Sequence, residues 1–218
     1  MYQASEIKYY PPAEERINIF SHVFGLVLSV IATVLLIKKS MPHQDVVQDI
    51  SVLVFGFSLI VLYGVSSIYH SSKEPWRRSR FRVLDHASIY CLIAGTYTPF
   101  SLLVLKGDIG WLIFSVAWAM ALAGIIVKLF FTGRFQLLST LMYVFMGWLI
   151  VFAIDTLMDN LSKEGLQWLV AGGLSYTFGA ILYAIKKIPF NHAIFHIFVL
   201  LGSFCHFVSV YNYVLPAV

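Results

Sequence analysis

The sequence predicts an all-α polytopic membrane protein: a bundle of seven transmembrane helices with the N-terminus cytoplasmic and the C-terminus outside. Three observations carry that prediction. The composition is 59% hydrophobic and only 12% charged, with mean hydropathy +0.81, whereas a soluble domain is about half apolar and about a quarter charged. The charges come in short clusters that separate apolar runs of spanning length. The basic residues fall mostly on one side of those runs.

A spanning helix needs roughly 20 apolar residues, and the runs at about 17–37, 50–70, 83–105, 110–131, 136–156, 165–185 and 191–214 meet that length. Lys38, Lys39 and Pro42 end the first. Lys73, Glu74 and Pro75, with Arg77, Arg78, Arg80 and Arg82, follow the second. Lys106, Gly107 and Asp108 divide the third from the fourth, and Gly133 with Arg134 divides the fourth from the fifth. Asp159, Asn160, Lys163 and Glu164 close the fifth, and Lys186, Lys187 and Pro189 close the sixth. Glu14 and Glu15, just after Pro11 and Pro12, read as a helix start with carboxylates at the positive end of the dipole. The run from Gly95 to Pro99 is expected to kink the third helix and open space inside the bundle. Residues 1–16 are therefore read as a cytoplasmic segment and 17–218 as one transmembrane domain.

Orientation follows from the basic residues. Lys8, Arg16, Lys73, Arg77, Arg78, Arg80, Arg82, Lys128, Arg134, Lys186 and Lys187 lie on the N-terminal side, against Lys38, Lys39, Lys106 and Lys163 on the other. Eleven against four places the N-terminus inside a multi-pass plasma-membrane protein. With no soluble module to carry a basic face, the pI near 9.0 points to anionic headgroups rather than nucleic acid. Cys91 and Cys205 both sit inside apolar runs and read as small packing residues, not as a disulfide framework or a CxxC pair. The polar N-terminus lacks the h-region and cleavage site of a signal peptide. Without a Walker A motif, a Rossmann glycine pattern or a GxSxG elbow, nucleotide and serine-hydrolase chemistry are not expected.

Ionisable groups inside spans are costly, so His22, His70, Asp85, His86, His192, His196 and His206, with Ser66, are the informative residues. The second helix descends to the cytoplasm and ends at His70, the third starts there with Asp85 and His86, and the seventh starts there with His192 and His196. Topology alone thus brings three helices' polar groups to similar depth. His192 and His196, four residues apart, project from one face and can chelate one ion; Ser66 and His70 share that spacing. Three neutral imidazoles suit Zn²⁺ and leave a fourth position for water, the arrangement of catalytic zinc. Asp85 could accept a proton from that water or orient it, and Ser66 could donate to a developing oxyanion. The plainer readings are a pairing of Asp85 with Arg80 or Arg82, and histidines that bond between helices. His86 reads as interfacial or as a neighbour of the ligands, and His22 as packing. His206, ten residues past His196, is about 15 Å further along the axis and reads as a buried polar contact.

These residues resemble a known family. Ser66 to His70 (SSIYH), Leu84-Asp85-His86 and His192 to His196 (HAIFH) are similar to the motif set of hemolysin III proteins. That family is the bacterial branch of the progestin and adipoQ receptors, in a superfamily that includes alkaline ceramidases. Glu14, Glu15, Asn18, Ser21 and His22, the AGTYTPF run at 94–100 and Ile188 to His192 extend the resemblance over nearly the whole chain. It implies zinc on His70, His192 and His196, with Asp85 against the metal-bound water and Ser66 beside it. It also implies an intramembrane cavity open to lipid and suited to cleaving an amide such as ceramide.

Four functions follow as expectations. The first is a zinc-dependent hydrolase of a membrane lipid amide or ester, and the second a non-enzymatic regulator of membrane lipid or energy homeostasis with structural zinc. A cytolysin is less favoured because pore formers are secreted in soluble form. A transporter is less favoured because no charged pathway or inverted repeat crosses the membrane.

Overall fold

The computed structural model describes residues 7–131 and 136–216. The break at Gly133 and Arg134, with that arginine's part in the orientation count, lies outside the described residues. So do the first six residues of the N-terminal segment and the last two of the chain. Among the described residues there are α-helices and no strand: α1 (Pro12–Ser40), α2 (Val46–Ser71), α3 (Pro75–Pro99), α4 (Gly107–Phe131), α5 (Gln136–Gly147), α6 (Ile154–Asn160), α7 (Lys163–Ala184) and α8 (Asn191–Ser209).

Six stretches are long and apolar enough to cross a bilayer: Pro12–His43, Val46–Ser71, Pro75–Leu105, Gly107–Phe130, Leu137–Asn160 and Asn191–Val214. The remaining expected span, α7, has the length at 22 residues. Gln167, Gly172, Gly173, Ser175, Thr177 and Gly179 dilute its apolar character. Those small residues serve packing: a Cβ on Gly165 or Gly179 would stand 2.7 Å from Tyr213 or Phe198, and one on Gly172 would enter the His206 ring. Glycine every seven residues thus lets α8 and the π-helical stretch that follows it, Val210–Val214, lie directly on α7.

Local signals set the helix starts. Pro12 occupies the first turn of α1, with Glu14 and Glu15 beside it and Lys38 and Lys39 in the last turn, complementing the dipole. The Asp45 carboxylate accepts from the amides of Val47 and Gln48 to cap α2, and Ser162 caps α7. Pro75 starts α3 well before the expected position 83. Arg77, Arg78, Arg80 and Arg82 are therefore helical, not part of a connection.

Two departures from regular helix shape the interior. Pro99 brings no amide to the ladder, and the chain continues as a wider π-helical stretch over Phe100–Leu105. The hydroxyls of Thr96 and Thr98 bond back to the carbonyls of Leu92 (2.8 Å) and Ala94 (3.0 Å) just before it. The fifth span, expected as one helix over 136–156, breaks after Gly147 into a 3₁₀ stretch, Leu149–Ala153, before α6 resumes. Tyr97 bridges that break: its hydroxyl donates to the Gly147 carbonyl at 3.0 Å and accepts from the Ile150 amide at 2.9 Å. In a bilayer, where no water satisfies freed backbone groups, that pair makes the break tolerable.

Burial is inverted relative to a soluble bundle. On α1, the inward stripe is Glu14, Asn18, His22, Gly25, Ser29, Leu36 and Ser40, while Phe20, Phe24, Val27 and Ile31 face outward. The apolar core gathers Phe55, Leu59 and Tyr63 of α2 with Leu92 and Tyr97 of α3 and Val199 of α8. One end of this interior, where α2 stops and α8 starts, is polar.

A candidate metal centre between α1, α2 and α8

His70 lies in the last turn of α2, while His192 and His196 lie in the first two turns of α8. The start of α8 is fixed from both sides. Phe190 takes a left-handed conformation (φ 57°), and Asn191 donates its side-chain amide to the Tyr183 carbonyl at 2.9 Å, tying α8 to the end of α7. The buried Glu14 carboxylate then accepts from the His192 backbone amide at 3.3 Å. The i, i+4 spacing turns both α8 imidazoles toward His70.

The three rings meet through one kind of nitrogen. Nε2 of His192 is 3.1 Å from Nε2 of His70 and 3.1 Å from Nε2 of His196, and all three side chains are buried. One ligand atom from each lies within 4.8 Å of the others, so the triad could hold a metal ion. A tetrahedral zinc with Zn–N of about 2.0–2.1 Å places its ligand nitrogens about 3.3 Å apart, close to the spacing found. Hydrogen bonding alone fits poorly: the single proton available at His192 Nε2 satisfies one of its two Nε2 neighbours. A cation among the three lone pairs satisfies every contact.

Two of the three outward nitrogens, those of His70 and His196, favour the same arrangement. His70 Nδ1 is 2.8 Å from Glu15 Oε2, so Nδ1 carries the proton and Nε2 presents a lone pair inward. Ser21 Oγ stands 3.4 Å from His196 Nδ1. Asn18 donates to Glu15 at 3.3 Å. The other Glu15 oxygen pairs with Arg78, which is 1% exposed and sits between the rings of Tyr9 and Tyr69. Arg78 also donates to the Lys8 carbonyl at 2.9 Å and to the carbonyls of Tyr69, His70 and Ser72 at 3.3–3.4 Å, closing the C-terminal end of α2. From the N-terminal side, Tyr10 stacks on His192 with ring centroids 4.5 Å apart. Burial raises the Tyr10 hydroxyl pKa well above that of an ordinary phenol, so it remains a donor.

A cavity of about 200 Å³ runs inward from this centre. His192, His196, Ser66, Asp85 and His86 line it at the polar end. Ser66 is 1% exposed and its Oγ has no partner among the described residues; Asp85 is 8% exposed. Of the residues expected at the site, Ser66, Asp85, His192 and His196 line this cavity, and His70 meets it only through His192, Nε2 to Nε2 at 3.1 Å. His86 also lies on the cavity wall; its Nδ1 donates to the Arg82 carbonyl at 2.7 Å, and its own carbonyl accepts from Tyr143 at 2.9 Å. His22 does pack, but against the centre itself: its ring stacks on His196 with centroids 3.5 Å apart, and Tyr63 meets its edge. The sequence reading named Glu15 as a helix-start carboxylate within the family resemblance and Arg78 only as a basic residue, and gave neither of them, nor Tyr10, a role at this centre.

A multi-pass helical bundle with a buried tri-histidine pocket at one end of its interior defines the class. The chain belongs to the haemolysin-III related family, whose model matches residues 11–207. It is 45% identical over 203 residues to Hemolysin-3 of Bacillus cereus, covering 93% of each chain. Similarity to the Hemolysin-3 homolog of Bacillus subtilis (strain 168) is 43% over 200 residues, 92% of this chain and 94% of that one. The human monocyte to macrophage differentiation factor is 29% identical over 212 residues, 92% of this chain and 84% of that protein.

Proposed function

We propose that this protein is a zinc-dependent intramembrane hydrolase of a lipid amide or ester. In this reading it has seven spans in the plasma membrane, with its N-terminus and metal centre on the cytoplasmic side. The observation that carries it is the convergence of three Nε2 atoms, 3.1 Å apart in sequence of contact, beside a cavity that Asp85 and Ser66 also line. Zinc bound there would supply a Lewis acid that acidifies a water molecule and polarises a carbonyl. Asp85 takes a proton at its carboxylate and returns it to the leaving group. Ser66 Oγ, which has no partner among the described residues, donates to the substrate carbonyl oxygen as charge develops there. The apolar walls hold the lipid chain and exclude bulk water.

The test is metal content of the purified protein by mass spectrometry, followed by turnover of a panel of lipid amides and esters. Near-stoichiometric zinc in the parent and none in folded His70→Ala and His196→Ala variants is expected, with hydrolysis of at least one lipid class. Zinc without any turnover, and Asp85→Asn cells indistinguishable from the parent, would favour a second reading. In that reading zinc braces the bundle of a regulator of membrane lipid or energy homeostasis. It is motivated by the way the centre joins α2 to α8, while Glu15 and Arg78 join α1, α2 and α3. The haemolysin name of the bacterial relatives suggests cytolysis, for which leakage from liposomes is the direct assay. Lysis through altered lipids fits an integral helical bundle better than pore formation does.

A further inference from the structure

We infer that the segment ahead of α1, Lys8 to Pro11, is a strap over the histidine centre, and that metal exchanges past it when it lifts. The segment forms no helix or strand, and it crosses the polar end of the interior between His192 and Arg78. Lys8, Tyr9 and Pro11 are exposed, Tyr9 at 52%, while Tyr10 between them turns inward. The Tyr10 ring stacks on His192 with centroids 4.5 Å apart and 11° between the planes, and it stands 5.7 Å from the His70 ring. Tyr10 thus covers two of the three rings from the side on which the strap is exposed.

The other covers of the triad belong to helices. His196 lies against His22 and Ser21 of α1, and His70 against Glu15 of α1 and Tyr69 of α2. Tyr183 of α7 and Phe195 of α8 flank His192. Moving any of these disturbs a helix whose backbone bonds have no substitute partner in a bilayer. Moving the strap does not. Arg78 Nε donates to the Lys8 carbonyl at 2.9 Å, and the guanidinium lies 4.6 Å from the Tyr9 ring centre. The Tyr9 hydroxyl donates to the Lys73 carbonyl at 3.3 Å, and Lys8 Nζ is 4.4 Å from the Tyr10 ring centre. Segments tied by exposed side-chain contacts, without a backbone ladder, are those that open locally at low cost. Arg78 stays in place when the strap lifts, because it still holds Glu15 and the carbonyls of Tyr69, His70 and Ser72. The three ligands therefore remain assembled while the route opens. The inference rests on the proposed function only in taking zinc as the metal.

The experiment follows zinc on the full chain in phosphatidylcholine nanodiscs. It times zinc loss to excess EDTA and zinc uptake by the metal-free protein, with equilibrium affinity measured beside them. In the parent, loss should stop rising with EDTA concentration once opening of the strap limits it. Tyr10→Ala should speed both loss and uptake roughly tenfold, as one lost aromatic stack allows, and leave the affinity that of the parent. Tyr10→Phe keeps the ring and should keep the parent rates. Tyr9→Ala, at an exposed position away from the triad, should also speed both, because it removes the ties to Lys73 and Arg78. Unchanged rates in both alanine variants would overturn the proposal, as would parent loss that rises in proportion to EDTA without limit. So would faster loss with unchanged uptake, which makes Tyr10 a support for His192 rather than a cover, and so would a parent that takes up no zinc. Hydrolysis is judged separately. Strap-controlled exchange in a protein that turns over no lipid sinks the hydrolase and leaves the strap; turnover with exchange indifferent to Tyr9 and Tyr10 does the reverse.

Discussion

Glu15 Oε2 lies 2.8 Å from His70 Nδ1, the nitrogen that faces away from the candidate metal. A carboxylate there fixes the ring's tautomer and orientation and makes Nε2 more basic. Among the histidines of the triad, only His70 has a charged partner at its outer nitrogen; Ser21 stands 3.4 Å from His196 Nδ1, and His192 Nδ1 has no partner among the described residues.

Glu15→Gln should therefore weaken zinc binding by about 10–100-fold, the usual cost of losing a partner of a ligating imidazole. Competition against a chelator of known affinity measures it. An unchanged affinity would mean that α2 and α8 alone hold His70 in place.

Arg78 carries a second prediction. It is buried against three terminal carbonyls of α2, the Lys8 carbonyl, the Glu15 carboxylate and two aromatic faces. Removing one partner of a buried ion pair costs about 3–5 kcal/mol, because the remaining charge stays buried. Arg78→Met should lower the melting temperature in detergent markedly and reduce zinc occupancy with it. Arg78→Lys should recover little, since an ammonium cannot reach both the carboxylate and the carbonyls.

Which of these features the sequence makes legible follows from the range over which each signal acts. The triad is readable because antiparallel topology and an i, i+4 pair suffice to bring His70, His192 and His196 together. Glu15 is hidden because a carboxylate in the first turn of α1 already has a sufficient local explanation in the helix dipole. Arg78 is hidden among Arg77, Arg80 and Arg82, where a charge-count rule treats all four alike; only the periodicity of a helix that starts at Pro75 turns one of them inward. The break in the fifth span has no local cue beyond Gly147, because the group that stabilises it, Tyr97, is on another helix. The glycines of α7 lower its apolarity below that of the six stretches long and apolar enough to cross a bilayer, for a reason visible only once α8 lies against it.

Asp85 and Ser66 separate the two functional readings. Under hydrolysis, Asp85→Asn should retain zinc and lose about 10²–10⁴-fold in turnover, the range for removing a general acid–base group. Ser66→Ala should lose less, because the metal shares the work of stabilising the oxyanion. Both variants should melt near the parent temperature, which a role in packing would not allow. Full turnover in Asp85→Asn would refute the proposed chemistry.

The last prediction concerns the broken span, which forms part of the cavity wall through Gly147, Trp148 and Ile150. Tyr97→Phe deletes one hydroxyl but leaves two backbone groups, the Gly147 carbonyl and the Ile150 amide, without partners. Each unsatisfied buried group costs about 1–3 kcal/mol, and no water in the hydrocarbon offsets it. The variant should therefore melt several degrees lower. Amide exchange should rise at Ile150 and its neighbours while the histidine end keeps its protection. Zinc affinity should remain that of the parent, because Tyr97 belongs to the packed interior and touches none of the triad. A loss of zinc together with the local opening would instead tie the two ends of the cavity into one cooperative unit.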